Sequence, residues 1–151
     1  MMQSLWLFGT HLSILADETQ TSSLYDLIEG TFAPGVETPL HSHSKYSELI
    51  FVTKGEFTIY TNQETVILKP GKSFFIPQGT PHMVSASSEE PSTALTIASP
   101  SGFAKVIRLF GKVDPGKDVL DLKLVEEFNQ KTIELGDEIL GAPGTRPAIE
   151  S

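Results

Sequence analysis

Between Leu5 and Ala98 apolar and polar residues alternate in short runs, the period of two expected of β-strands rather than the period of 3.6 of helices. The runs cover residues 24–32, 48–53, 56–60, 65–68, 73–76, 82–86 and 93–98. Turn signals cut them apart: Pro34-Gly35, Lys54-Gly55, Asn62-Gln63, Pro70-Gly71, Gln78-Gly79 and the polar stretch 87–92. Short strands at such even spacing predict an antiparallel sandwich or barrel. Phe57, Ile59, Val66 and Leu68 are expected on its inner side, with Thr58, Tyr60 and Lys69 outside. The apolar stretch before Ala16 reads as an opening pair of strands, anchored by Trp6.

The period changes after Pro100. Phe103, Val106, Ile107 and Phe110 fall at i, i+3, i+4 and i+7, one face of a helix, and Gly111 follows as a stop. After a loop over 112–117 a second helix is expected, capped by Asp118 or Asp121, closed by Gly136, with Leu124, Val125, Phe128, Thr132 and Leu135 inward. The organisation expected is a barrel over 1–100, a helical extension over 101–140 and a Pro/Gly-rich tail over 141–151.

Composition narrows the chemistry. The 151 residues carry 11 Lys plus Arg against 19 Asp plus Glu, a net charge of −8. This argues against nucleic acid, whose phosphates call for a cationic stripe. No apolar stretch reaches the ~18 residues of a membrane span. The first 16 residues also lack the basic n-region of a signal peptide, so a cytoplasmic protein is expected. Cysteine is absent, which removes Cys-ligated metals, iron–sulfur clusters and Cys nucleophiles. A metal would have to rest on carboxylates and the four histidines.

His41 and His43, two residues apart, point to one face of an extended strand. Glu48 lies in the next strand, and His82 opens another after Gly79-Thr80-Pro81. If these strands are neighbours, three imidazoles and a carboxylate converge on the interior, a donor set for one divalent transition metal: Fe, Mn, Ni, Cu or Zn. With one carboxylate such an ion keeps a net charge of +1 and open positions. His11 is expected to be structural or at the surface.

Two motifs here resemble those of the cupin superfamily. The first runs Gly35, His41, Ser42, His43, Glu48, Gly55; the second runs Gly71, Pro77, Gln78, Gly79, His82, with Ala86 where the family pattern has Asn. Trp6-Leu7-Phe8-Gly9, residues 99–103 and the Gly-Pro-rich stretch 136–143 are similar to single-domain bacterial cupins grouped with quercetin dioxygenases. The resemblance implies an all-β, double-stranded β-helix (jelly-roll, cupin) barrel with a C-terminal two-helix extension. It implies metal ligation by His41, His43, Glu48 and His82, with Glu48 also the base that takes a proton from substrate.

The activity this implies is a metal-dependent dioxygenase acting on a small aromatic or enolisable substrate. The competing readings are a metal-binding isomerase or hydrolase of a sugar-like molecule working without dioxygen, and a non-enzymatic small-molecule-binding barrel. Gly35, Gly55, Gly71 and Gly79 are expected in turns with positive φ, while Pro77 and Pro81 stiffen the loop that delivers His82. Phe51, Phe57, Tyr60, Phe74, Phe75 and Met83 are candidate pocket walls, of which alternation sends about half outward or into a subunit interface. Lys45 and Tyr46 read as a solvated loop, with contact to substrate the alternative. Edge strands need cover, so a homodimer is expected, formed by the N-terminal strands pairing across a two-fold axis.

Overall fold

The computed structural model, which describes residues 3–116 and 120–150, has eleven strands, nine of them at the seven alternating runs and the opening pair. They are β1 (Gln3–Leu7), β2 (Thr10–Ala16), β3 (Asp26–Phe32), β4 (Leu40–His43), β5 (Ser47–Lys54), β6 (Phe57–Thr61), β7 (Thr65–Leu68), β8 (Ser73–Ile76), β9 (His82–Ala86), β10 (Ser92–Ser99) and β11 (Asp137–Gly141). They form two antiparallel sheets, ordered β1-β2-β3-β10-β5-β8 and β11-β4-β9-β6-β7. Between them lies a core of Phe32, Ile50, Val52, Phe57, Ile59, Leu68, Ile76 and Val84. Phe57, Ile59 and Leu68 are buried and Val66 packs against them, while Ile67 between the last two is exposed, as a period of two requires. This is an all-β jelly-roll barrel.

The four motif glycines all have φ between +73° and +87°. At Gly55 the need is also spatial: a Cβ there would stand 2.2 Å from Ser92 Oγ.

The helices are short: α1 (Glu18–Thr21), α2 (Phe103–Phe110) and α3 (Leu122–Lys131). Asp17 caps α1 and Asp121 caps α3 through Leu124 N–H; the alternative cap, Asp118, lies outside the described residues. Helix α2 lacks a side-chain cap of its own, but buried Asp26 on β3 accepts from Gly102 and Ala104 N–H at 2.8 and 2.9 Å. A second core joins β1, β2 and α2 through Leu5, Leu7, Leu12, Ile14, Ala104 and Ile107.

The C-terminal part carries the two helices expected, but a strand follows them before the tail. Helix α3 stops at Lys131, a 3-10 turn covers Ile133–Leu135, and β11 then crosses the expected boundary at 140. It pairs antiparallel with β4, with Asp137 opposite His43 and Ile139 opposite His41. The reason is the turn at Gly136, φ +79°, whose missing Cβ would meet Ser44 Oγ at 2.5 Å and Lys45 Cγ at 2.8 Å. That close approach lets Gly136 C=O accept from Ser44 N–H at 2.9 Å. Beyond β11 the chain lies along the barrel. Arg146 bonds Glu37 at 2.9 Å and covers the Tyr60 ring at 4.0 Å, and Glu150 N–H donates to Asn62 C=O at 2.7 Å.

Candidate metal centre

His41 and His43 on β4 face the barrel interior together, and His82 on β9 pairs directly with His41. Their ligating atoms lie within 4.8 Å of one another. Glu48 reaches them from β5, in the opposite sheet: Oε1 stands 3.2 Å from His43 Nε2 and Oε2 stands 3.4 Å from His82 Nε2. The structure thus brings together the four residues expected from the sequence. His43, His82 and Glu48 are buried, and His41 is the least covered of the set.

Each imidazole has its outer nitrogen engaged. His41 Nδ1–H donates to Pro39 C=O at 2.7 Å and His82 Nδ1–H to Thr80 C=O at 2.8 Å. His43 Nδ1–H donates to Asp137 Oδ1. A proton on every Nδ1 leaves the lone pair on every Nε2, the tautomer a metal ligand requires. The Nε2 atoms of His43 and His82 are buried without a hydrogen-bond partner, a costly arrangement unless something else claims them. The donor set therefore fits a divalent transition ion.

Asp137 was hidden in the sequence among Glu134, Glu138 and other acids of the extension. The signal that could have found it is the alternation after Gly136: Asp137 and Ile139 buried, Glu138 and Leu140 exposed, a strand with an acid in an inward place. Tyr46 is not a solvated loop residue. It is 1% exposed, stacks on the His43 ring at 4.5 Å, and donates its hydroxyl proton to Asp137 Oδ1 at 2.6 Å. It turns inward because Gly102 leaves room: a Cβ there would stand 3.1 Å from Tyr46 Cδ1. Lys45 does stay exposed, its Nζ on Glu134 C=O.

Asp137 also changes the charge balance. Two carboxylates, Glu48 and Asp137, face three neutral imidazoles, so a divalent ion would leave the assembly neutral rather than at +1. Without an ion, burial works against charge on His43, but Glu48 and Asp137 overcome it and hold its pKa up at about 10. Burial also opposes ionisation of Glu48, yet His43 and His82 keep its carboxyl well below the usual range. His41 is pushed well below an ordinary histidine by burial and by its two neighbouring imidazoles. Burial first, then the charges of Asp137 and Glu48, raise the Tyr46 phenol well above 10, so it remains a donor.

His41, His43 and Glu48 line a cavity of about 870 Å³, open mouth included. Its apolar walls come both from the central strands, through Phe32, Ile50, Phe57 and Val84, and from outside them, through Leu7, Phe8, Phe103, Val106, Phe128 and Ile139. Neither Lys nor Arg lines it among the described residues. Of the candidate wall residues Phe57 alone lines the cavity. Met83 is fully buried without lining it, Tyr60 lies under Arg146, Phe74 packs on the core, and Phe51 and Phe75 point outward because their parity on β5 and β8 places them there. His11 packs beside Trp6 on the outer strands, away from the site.

Comparisons with known proteins agree with this architecture. Residues 28–98 match the family model described as Cupin domain (Cupin_2). Nectarin-1 from the tobacco hybrid Nicotiana langsdorffii x Nicotiana sanderae is 30% identical over 95 residues, 58% of this chain and 42% of Nectarin-1, so the chain spans less than half that relative. The polyketide cyclase RemF from Streptomyces resistomycificus superposes with a TM-score of 0.58 at 22% identity, over 66% of this chain and 75% of RemF. A sugar phosphate isomerase of the cupin superfamily from Silicibacter pomeroyi gives 0.55 at 21% identity, over 62% of this chain and 61% of that protein. At these identities the two structures share the fold. No helix among the described residues is long and apolar enough to cross a membrane.

Proposed function

We propose that this cupin barrel is a metal-dependent dioxygenase of the quercetinase-like kind, acting on a small, largely apolar aromatic or enolisable compound. The carrying observation is the pairing of three converging Nε2 atoms and Glu48 with an apolar cavity free of Lys and Arg. A phosphorylated or polyhydroxylated substrate would find few partners on those walls, whereas a flat hydrocarbon body with one acidic hydroxyl would bury its rings there. His41, His43, Glu48 and His82 would hold the ion; when bound, it supplies a Lewis-acid site for the substrate oxygen and for dioxygen.

The chain's own residues do the rest. Phe103, Val106 and Phe128 exclude water and orient the substrate body toward the histidines. Glu48, with an oxygen facing each of His43 and His82, is placed to take the substrate's hydroxyl proton. Asp137 and Tyr46 fix the plane of the His43 ring throughout.

The test is elemental analysis of purified protein, then dioxygen uptake against a panel of flavonols and other enolisable aromatics. About one transition-metal ion per chain, with uptake matched to substrate consumed, is expected. Turnover that continues anaerobically, or protein that binds under about a tenth of an equivalent after reconstitution, would refute the reading.

A further inference from the structure

Four hydroxyl-bearing residues stand in the walls of the cavity beside the histidines: Thr10, Thr38, Ser42 and Thr96. Two are accounted for. Thr10 gives its proton to Leu7 C=O at 2.6 Å, and Ser42 lies on β4 between His41 and His43, whose side chains take the opposite face. The other two are left over. Thr96 sits on β10 between Ile28 of β3 and Ile50 of β5, both buried, and its hydroxyl has no hydrogen-bond partner among the described residues. Valine has the same shape and would fill that place with no polar atom to satisfy, so the hydroxyl serves nothing in the packing. Thr38 Oγ1 accepts from Val84 N–H at 2.9 Å, and its own proton is unclaimed.

Strand register fixes where these hydroxyls stand. Glu48 pairs with Ala98, so Thr96 is its diagonal neighbour on the same face, ~7–8 Å away. On the other sheet Val84, which holds Thr38, comes two residues after His82, ~7 Å along β9. Both steps run toward the same end of the barrel, because Val84 and Ile50, the partner of Thr96, belong to one core with Phe57. Each sheet thus offers one hydroxyl a single step inward from the ligands.

We propose that Thr96, assisted by Thr38, is a specificity-determining residue that hydrogen-bonds a second oxygen of the substrate, about one strand step (~7 Å) from the oxygen held at the histidines. The substrate class narrows to a flat aromatic or enolisable body with an oxygen at each end. This rests on the reading of the cavity as a pocket for such a body. Thr96 can donate or accept and Thr38 can donate, so a phenol or a ketone at that end is served equally. A body ending in hydrocarbon leaves both hydroxyls without a partner and binds less tightly.

The test uses protein loaded with zinc, which has no redox chemistry, so that binding is read apart from turnover. It is titrated calorimetrically with β-naphthol and with the naphthalenediol that carries a second hydroxyl at the far end of the same ring pair. The wild type should bind the diol about five- to tenfold more tightly, the worth of one well-made hydrogen bond. Thr96→Val should bind both probes alike, with unchanged metal content and a melting temperature no lower than that of the wild type. Thr96→Ser should keep the preference. A wild type that binds neither probe or both alike, a T96V that keeps the preference, or one that loses stability would overturn the proposal. Absent dioxygen uptake with the diol preference intact would instead refute the oxygenase reading and leave this one standing.

Discussion

His41 and His82 are oriented by their own loops, His43 by a strand ninety-four residues away. Both of the first pair donate to a carbonyl two residues earlier, Pro39 and Thr80, so each loop carries its own alignment. His43 depends on Asp137, and Asp137 on how α3, the Gly136 turn and β11 are packed. Thr132 Oγ1 lies 2.9 Å from Asp137 C=O, and Asn129 clamps Ile139 through both amide atoms, at 2.7 and 3.1 Å. One side of the site is thus self-contained, while the other reports on the state of the C-terminal extension. An acceptor carbonyl fixes a ring but leaves the ligand's charge alone; a carboxylate fixes the ring and adds negative charge that strengthens the donor.

The contrast can be broken most severely at the self-contained side. His82→Ala removes a ligand and should abolish stoichiometric metal and all turnover, read by elemental analysis and dioxygen uptake; unchanged turnover would refute the ligand set. Glu48→Gln should lower the rate constant by about 10²- to 10⁴-fold, the usual worth of a positioned base. On the distant side Asp137→Asn keeps the shape and removes the charge, and should weaken metal affinity ~10- to 100-fold in chelator competition. Tyr46→Phe removes one hydrogen bond to the same oxygen and should cost only about fivefold, in line with ~1 kcal/mol. If D137N and Y46F bind metal like the wild type, the two sides are equivalent after all.

The smallest effect concerns the N-terminal flank, where Asp17, beside Arg108 of α2, is held at a pKa of about 2 by hydrogen bonds from Thr19 and Arg108. Because the folded value lies below the ordinary 3.8, the contribution is present above about pH 4 and is lost as pH falls through 2. Urea midpoints of wild type and Asp17→Asn should therefore differ near neutrality and converge toward pH 2.

The same division governs what can be read from the sequence. His41, His43, Glu48 and His82 stand out because a strand's period of two and its turn signals are local, and local spacing survives in one dimension. The barrel was legible for that reason. Asp137 and Tyr46 owe their roles to the pairing of β11 with β4, a contact between distant segments that no local pattern records. The acid looked like one more solvated charge, and the phenol like part of a polar loop. Phe51 and Phe75 were legible in part: alternation turns about half of the candidate walls outward, but which ones depends on how the sheets are assembled.

The order of synthesis gives the β4–β11 pairing a further consequence. His41, His43, Glu48 and His82 are all made before Asp137, and at ordinary elongation rates the fifty-five residues after His82 take roughly 3 to 11 seconds. During that interval a nascent barrel holds its three imidazoles with only two of them aligned and one negative charge instead of two. An ion bound by those four residues in that interval would lack Asp137 behind His43 and so would be held more loosely than by the finished cage. Retention of a metal would then follow the pairing of β11 with β4 rather than the arrival of His82.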